Sequence, residues 1–292
     1  MQPQYAQVDE LTRAISIEIL VAAGLPRTGL LPALLRPLVW PPAHRFASLA
    51  SEFDRRVAAS GLTDAVRWAL SRFVEGTHAH GTEHIPASGP LIVASNHPGS
   101  YDGLVIASYL AREDLKIIAS DVPFLRNMHA TSPQLIYTTL DSHARMAAAR
   151  EAMRHLRDGG ALLLYPSAQV DPDPAFLPGA RQELGKWSSS LPLFVRQAPE
   201  TQVLVTIVSG VLAPSCYHHP LTLLRREQRL KQFLAEFLQV GQQVMFGRRF
   251  GLEPVVRFAP PLTASALGGG RDKDTAMAAI LSQAHGLLAE VQ

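Results

Sequence analysis

Apolar residues recur at helical spacing over Leu11–Leu25 and again over Phe46–Val74, and no alternating strand pattern interrupts either run. Between them lies Gly24–Pro42, rich in Leu and Pro and carrying Trp40. From residue 76 the pattern changes. Short β-like runs at Leu91–Ser95, Leu115–Ala119, Leu135–Thr139, Ala161–Tyr165, Val203–Ser209 and Pro254–Phe258 alternate with helical runs. The helical runs are Tyr101–Ala111, Ser142–Arg157, Gly179–Ser188, Leu221–Phe246 and Asp272–Glu290. Strands alternating with helices predict an α/β domain with a largely parallel mixed sheet flanked by helices. The strands are nearly uniformly apolar, as expected when both sheet faces are buried. The pattern therefore divides the chain into a helical N-terminal region, 1–75, and an α/β domain, 76–292. Gly159-Gly160 ends one helix before the Ala161 strand, and Gly268-Gly269-Gly270 reads as a loop before the last helix.

Composition narrows the function classes. Of 292 residues, 47% are apolar and 18% charged, where about 25% charged is usual, which excludes a disordered chain. A net charge of +2 argues against a nucleic-acid partner. The single cysteine, Cys216, excludes an internal disulfide framework and points to a cytoplasmic setting. A surplus of 23 Arg over 4 Lys fits genomic bias or phosphate and carboxylate recognition.

The low charge also raises the question of a surface facing something other than water. Ile15–Val39 is the best candidate for a membrane span, but Glu18, Arg27, Arg36 and three prolines interrupt it. It also lacks the basic n-region and cleavage site of a signal peptide. Ile19–Ser51 contains no acidic residue, only Arg27, Arg36 and Arg45 among its formal charges. Such a stretch with an interfacial Trp fits either a segment lying on an anionic membrane surface or a Pro-rich connector. The membrane reading makes the protein peripheral on the inner face, with Leu30, Leu31, Leu34, Leu35, Leu38 and Trp40 touching lipid.

In parallel sheets, ligands bind beyond the carboxyl ends of the strands. After Leu91–Ser95 comes Asn96-His97-Pro98-Gly99-Ser100-Tyr101-Asp102. His97 ends the strand, Pro98-Gly99 turn the chain, and Asp102 opens the next helix. A carboxylate folded back onto the imidazole would fix its tautomer and stabilise the imidazolium, leaving the other ring nitrogen as a general base. The spacing alone is weak, since His78/Glu83 and His285/Glu290 share it; the strand–turn–helix setting is what singles out His97 and Asp102.

This segment resembles the N-H-x-x-x-x-D motif of the glycerolipid acyltransferases, the glycerol-3-phosphate and 1-acylglycerol-3-phosphate acyltransferase family. The resemblance spans roughly residues 80–262. It includes Tyr165-Pro166, where the family has F-P-E-G, then Phe176-Leu177-Pro178-Gly179-Ala180 and the closing Val255–Leu262. It implies transfer of a fatty acyl group from acyl-CoA or acyl-carrier protein, as donor substrate, to the hydroxyl of a glycerol-phosphate, lysophospholipid or other lipid alcohol in phospholipid biosynthesis. It implies no cofactor and no metal, with His97 as base and Asp102 as its orienter. A non-catalytic lipid- or acyl-binding module, or an acyl thioesterase, are the alternatives on the same fold.

The family's acceptor-phosphate motifs are altered. Its second motif ends a strand with an Arg where this chain has Thr138-Thr139, and its third motif's Glu and Gly are Ser167 and Ala168, followed by Gln169. Candidate substrate-binding residues are Asn96, Gly99, Ser100, Thr139, Arg145, Ser167, Gln169 and Arg181, with Arg126 and Lys186 as further cations. Asp171 and Asp173, flanked by prolines, read as turn residues. His78, His80 and His84 read as a polar loop, and Cys216 beside His218-His219 as packing. There is no phosphate loop of Walker or Rossmann spacing.

Overall fold

The computed structural model describes residues 7–139 and 141–291; residues 1–6 of the expected helical region, and residues 140 and 292, lie outside these. Helices α1 (Val8–Ala22), α2 (Leu30–Ser60) and α3 (Leu62–Phe73) lead to strand β1 (His78–His80), β2 (Leu91–Ser95), α4 (Asp102–Leu110) and β3 (Leu115–Ser120). Then come α5 (Pro123–Arg126), β4 (Leu135–Thr138), α6 (Ser142–Arg157), β5 (Ala161–Leu164), α7 (Ala180–Leu184) and α8 (Leu191–Gln197). The chain closes with β6 (Gln202–Ser209), α9 (Pro214–Tyr217), α10 (Gln228–Phe246), β7 (Val255–Phe258) and α11 (Lys273–Ala289). By contacts the described chain forms two units. A helical unit takes in the residues up to Gly76 together with Val122–Pro133 and Leu212–Leu252, and an α/β unit holds the rest. The expected boundary at 75–76 thus closes only the first segment of the helical unit.

The α/β unit is one seven-stranded sheet in the order β1-β7-β6-β2-β5-β3-β4. Every neighbouring pair is parallel except β6 with β7. Strands β6, β2, β5, β3 and β4 therefore deliver their carboxyl ends to one edge, and β1 and β7 run the opposite way. Ile92 and Ala94 of β2, Leu162 and Leu164 of β5, and Val203, Val205 and Ile207 of β6 pack on one face with Ala152 and Leu156 of α6 and Ile280 and Ala284 of α11. The alternate residues Leu91, Val93, Leu163 and Leu204 are equally buried on the opposite face. This double burial is the reason the strands read as continuous apolar runs.

β1 is a departure from the expected polar loop: His78, Ala79 and His80 pair in parallel with Val255, Val256 and Arg257. Only one face of this short margin strand is covered, so its sequence stays polar. The run Leu221–Phe246 is broken as well. Pro220–Leu224 is a 3-10 turn capped by the His219 imidazole, and α10 begins only at Gln228.

In the helical unit, α2 runs straight through the expected Pro-rich connector. Pro32 sits in its first turn, where no N–H is needed, but Pro37, Pro41 and Pro42 are interior. Each removes one backbone bond, to the carbonyls of Ala33, Pro37 and Leu38. These lie where Leu34 and Leu38 are 76% and 75% exposed, so solvent can take the orphaned carbonyls. The second half of α2 compensates through packing. Ala43, Ala47 and Ala50 meet Leu11, Ile15 and Met128, with Phe46, Phe53 and Phe124 around them.

Asp54 anchors this layer. Its Oδ1 accepts from the Ala130 and Thr131 backbone N–H groups and the Thr131 hydroxyl, at 3.0, 2.8 and 2.8 Å, with no exposure to solvent. Asp54→Ala strands two buried donors and one part-buried donor and is expected to lower unfolding free energy by about 2–3 kcal/mol, read from urea melts.

Candidate active site

The carboxyl ends of β2 and β5, neighbours in the sheet, place the site. The Asn96 side chain extends the β2–β6 ladder by one step. Its Nδ2 donates to the Val208 carbonyl and its Oδ1 accepts from the Val208 N–H, both at 2.8 Å. Asn96 was expected to bind substrate; instead it is 3% exposed and its amide is committed to β6. This locks the strand end, so that the next residue, His97, leaves the sheet at a fixed point. Pro98 and Gly99 then reverse the chain into α4, which Asp102 opens.

The Asp102 carboxylate is 2% exposed and collects four donors. Oδ2 receives His97 Nδ1 at 2.7 Å and the Gly99 N–H at 3.1 Å. Oδ1 receives the Gly103 N–H at 2.5 Å and the Tyr165 hydroxyl at 2.7 Å. Its position at the start of α4 adds the favourable field of the helix N-terminus. Gly99, also expected to bind substrate, thus contributes its N–H to the carboxylate. Nδ1 is the His97 nitrogen engaged with Asp102, so Nε2 is the one turned away from it, and the side chain is 31% exposed.

Two residues that sequence reasoning did not assign to the site complete it. Tyr165, just past β5, stacks on the His97 ring with centroids 4.2 Å apart and planes 22° from parallel. Burial, and then the Asp102 charge beside it, push the Tyr165 hydroxyl pKa well above its ordinary value, so its proton stays on and is donated. Asp171, expected to be a turn residue, forms a reciprocal pair with the His97 backbone. The His97 N–H donates to Asp171 Oδ2 at 2.9 Å and the Asp171 N–H to the His97 carbonyl at 2.8 Å. The sequence signal was present for Tyr165, as an aromatic ending a strand beside the His97 strand. For Asp171 none was available, because its partner lies 74 positions away. Asp173 is a structural tie, accepting from the Gly210, Val211 and Ala175 N–H groups.

The remaining candidates separate by place. Ser167 is buried, and its hydroxyl lies 3.1 Å from Asp171 Oδ2 and 3.0 Å from the Gln169 carbonyl. Ser100 and Gln169 are exposed on the turns beside the site. Ala168 follows with φ of 54°, a left-handed backbone that glycine favours. Thr139 follows β4, three strands from β2, which puts it about 14 Å across the sheet from the His97 strand. Its hydroxyl accepts from the Asp141 N–H. Arg145, in the first turn of α6, and Arg181, on α7, are exposed. The structure thus gathers His97, Asp102 and Ser167, and leaves Thr139 and Arg145 at the sheet margin. Cys216 is buried in the other unit, its thiol pKa pushed up to about 11 by burial, which makes it a packing residue.

A buried carboxylate holding a half-exposed imidazole at a strand end provides a base and its orienter. Comparison with protein-family models matches residues 76–205 to the family described as Acyltransferase, a span that holds His97, Asp102, Tyr165 and Asp171. This stretch of the chain is similar to acyltransferase domains. Among solved structures, the chain is similar to the crystal structure of the 1-acyl-sn-glycerophosphate (LPA) acyltransferase PlsC from Thermotoga maritima. The identity is 13%, over 97% of this chain and 96% of that one, with a TM-score of 0.48, a likeness too slight to bear on function. No curated protein matches the chain.

The Asp171 carboxyl gives a pH-dependent check. Burial raises its pKa above the ordinary 3.8, partly offset by the His97 N–H and Ser167 hydroxyl. A raised carboxyl pKa means that the unfolded state ionises first, so the stability this group allows is full below pH 3.8 and declines as pH rises through the folded pKa. Asp171→Asn keeps an acceptor for the His97 N–H but cannot ionise. Its melting temperature relative to wild type is expected to rise between pH 3.5 and 6.5; a constant difference would contradict the buried-charge assignment.

Proposed function

We propose that the protein is an O-acyltransferase that moves a fatty acyl group from a thioester donor, acyl-CoA or acyl-carrier protein, to the hydroxyl of a glycerol-phosphate, lysophospholipid or other lipid alcohol. The observation that carries this reading is the 2.7 Å contact between His97 Nδ1 and the buried Asp102 carboxylate, within a domain of the acyltransferase family. His97 Nε2 takes the proton of the acceptor hydroxyl as its oxygen attacks the thioester carbonyl. The tetrahedral oxyanion then collapses, the C–S bond breaks, and the sulfur leaves with the proton carried by Nε2. Asp102 stabilises the imidazolium between these two steps, and Asp171 fixes the backbone from which the imidazole projects. The acceptor hydroxyl is the nucleophile, so no covalent enzyme intermediate forms.

The proposed acceptor end differs from the family pattern. Thr139 and Ser167 stand where the resemblance places an Arg and a Glu, and the cations Arg145 and Arg181 are exposed. These substitutions favour an acceptor recognised by hydrogen bonds rather than by a cation, with Gln169 exposed on the turn beside the site.

His97→Ala is expected to reduce thiol release from a long-chain acyl-CoA, in the presence of a lipid alcohol, by roughly 10²–10⁴-fold. Release in wild type that needs no alcohol would make the protein a thioesterase, and tight acyl binding without release would make it a binding module.

The same reading places the enzyme peripherally on the inner face of a membrane. No helix among the described residues is long and apolar enough to cross a membrane. The amino end of α2 presents Leu30, Leu31, Leu34 and Leu38 at 87%, 54%, 76% and 75% exposure, on one side of the helix and within the acid-free stretch. Such a face suits the boundary between headgroups and acyl chains. Replacing Leu34 and Leu38 with Gln is expected to reduce flotation with vesicles of phosphatidylglycerol and phosphatidylethanolamine by at least about tenfold, since each buried leucine contributes about 1.5–3 kcal/mol. Unchanged flotation would remove α2 as the contact.

A further inference from the structure

We infer that Tyr165 is a positioning residue for His97, setting the imidazole's orientation and its proton affinity through two separate contacts, one with Asp102 and one with the ring itself. The resemblance places a phenylalanine at this point of the strand end, so the hydroxyl is a feature of this chain. The inference rests on the acyl-transfer reading only for its kinetic readout.

Three observations converge on the hydroxyl. It donates to Asp102 Oδ1 at 2.7 Å, while Oδ2 holds His97 Nδ1. With Gly103 N–H on the same oxygen, the carboxylate is gripped at both ends and cannot rotate away from the imidazole. A hydroxyl proton on Oδ1 also draws charge away from Oδ2, which moderates the pull of Asp102 on the His97 proton. The ring acts in the opposite sense. Stacked at 4.2 Å and 22°, its electron-rich face lies against the imidazole and stabilises the charged form. The site is also built around the hydroxyl. A Cβ on Gly103 would stand 2.9 Å from Tyr165 Oη, so any larger residue at the second position of α4 has to displace the tyrosine hydroxyl. Among the described residues of the α/β unit, the ionisable groups set against His97 include Asp102, Tyr165 and Asp171, with Glu183 of α7 acting on Asp171.

The two contacts make opposite predictions, which separates tuning from simple structural support. Tyr165→Phe keeps the ring and removes the donor; Tyr165→Leu removes both. The probe is the imidazole proton resonance of His97, followed by NMR from pH 4 to 9 and assigned by its loss in His97→Ala. In Tyr165→Phe the titration midpoint is expected to rise by about half a unit or more. In Tyr165→Leu it is expected to fall back below that of the Phe variant. The acid limb of kcat should move with it, with kcat at pH 7 down about tenfold in Tyr165→Phe and KM for the acyl donor within about twofold.

Gly103→Ala supplies the complementary check. Alone it should lower kcat in the same manner, and in the Tyr165→Phe background it should add nothing further, because the obstructing hydroxyl is gone. Midpoints unchanged in both Tyr165 variants, or additive losses for the Gly103 pair, would overturn the inference. Shifted midpoints in a protein that shows no acyl transfer under any condition would uphold it and overturn the proposed function instead.

Discussion

A single buried anion organises the site. Asp102 is almost wholly removed from water, and an isolated carboxylate in that position would be unfavourable by several kcal/mol. Its charge is tolerated because His97, Gly99, Gly103 and Tyr165 all donate to it. Each donor comes with a structural requirement. Gly99 must turn tightly enough to bring its N–H back, Gly103 must leave room for the tyrosine, and β5 must lie beside β2 so that Tyr165 arrives at all. Satisfying the carboxylate thereby fixes the imidazole.

Strand order decides which residues take part. β2 and β5 are neighbours, so the residues that follow them meet. Asp171 ties to the His97 backbone and Ser167 to Asp171, making the segment after β5 a second wall of the site. β4 is three strands away, so Thr139 and the first turn of α6 belong to another part of the sheet edge. The polar residues Asn96 and Asp173 act one layer deeper. They satisfy backbone groups of β6 and the turn after it, holding the strand ends from which the chemistry projects.

The helical unit shows packing prevailing over local propensity. α2 contains three interior prolines and still runs 31 residues, because its second half is held by an alanine-lined contact with α1 and by Asp54. Its first half lacks such packing and presents leucines outward.

Much of this was legible in the sequence. Strand and helix periodicities carry the α/β architecture, because doubly buried parallel strands leave continuous apolar runs and amphipathic helices leave a 3.6-residue rhythm. The pairing of His97 with Asp102 is local, five residues across one turn, so spacing and context suffice to expose it. Other features depend on partners far apart in the chain, and a linear pattern does not record them. The tyrosine under the imidazole comes from 68 positions beyond it, which the sequence shows only as an aromatic ending another strand. Asp171 looks like a turn residue between prolines until β5 is set beside β2. Asn96 looks like a ligand until its amide is found on Val208. β1 is three polar-looking residues until Val255–Arg257 lie alongside. Sequence by itself determined the class of fold and the pairing of His97 with Asp102, since both follow from short-range periodicity and spacing. Tertiary structure decided which polar groups surround that pair and which merely hold the sheet, because that choice depends on strand order and on which buried hydrogen bonds must be satisfied across it.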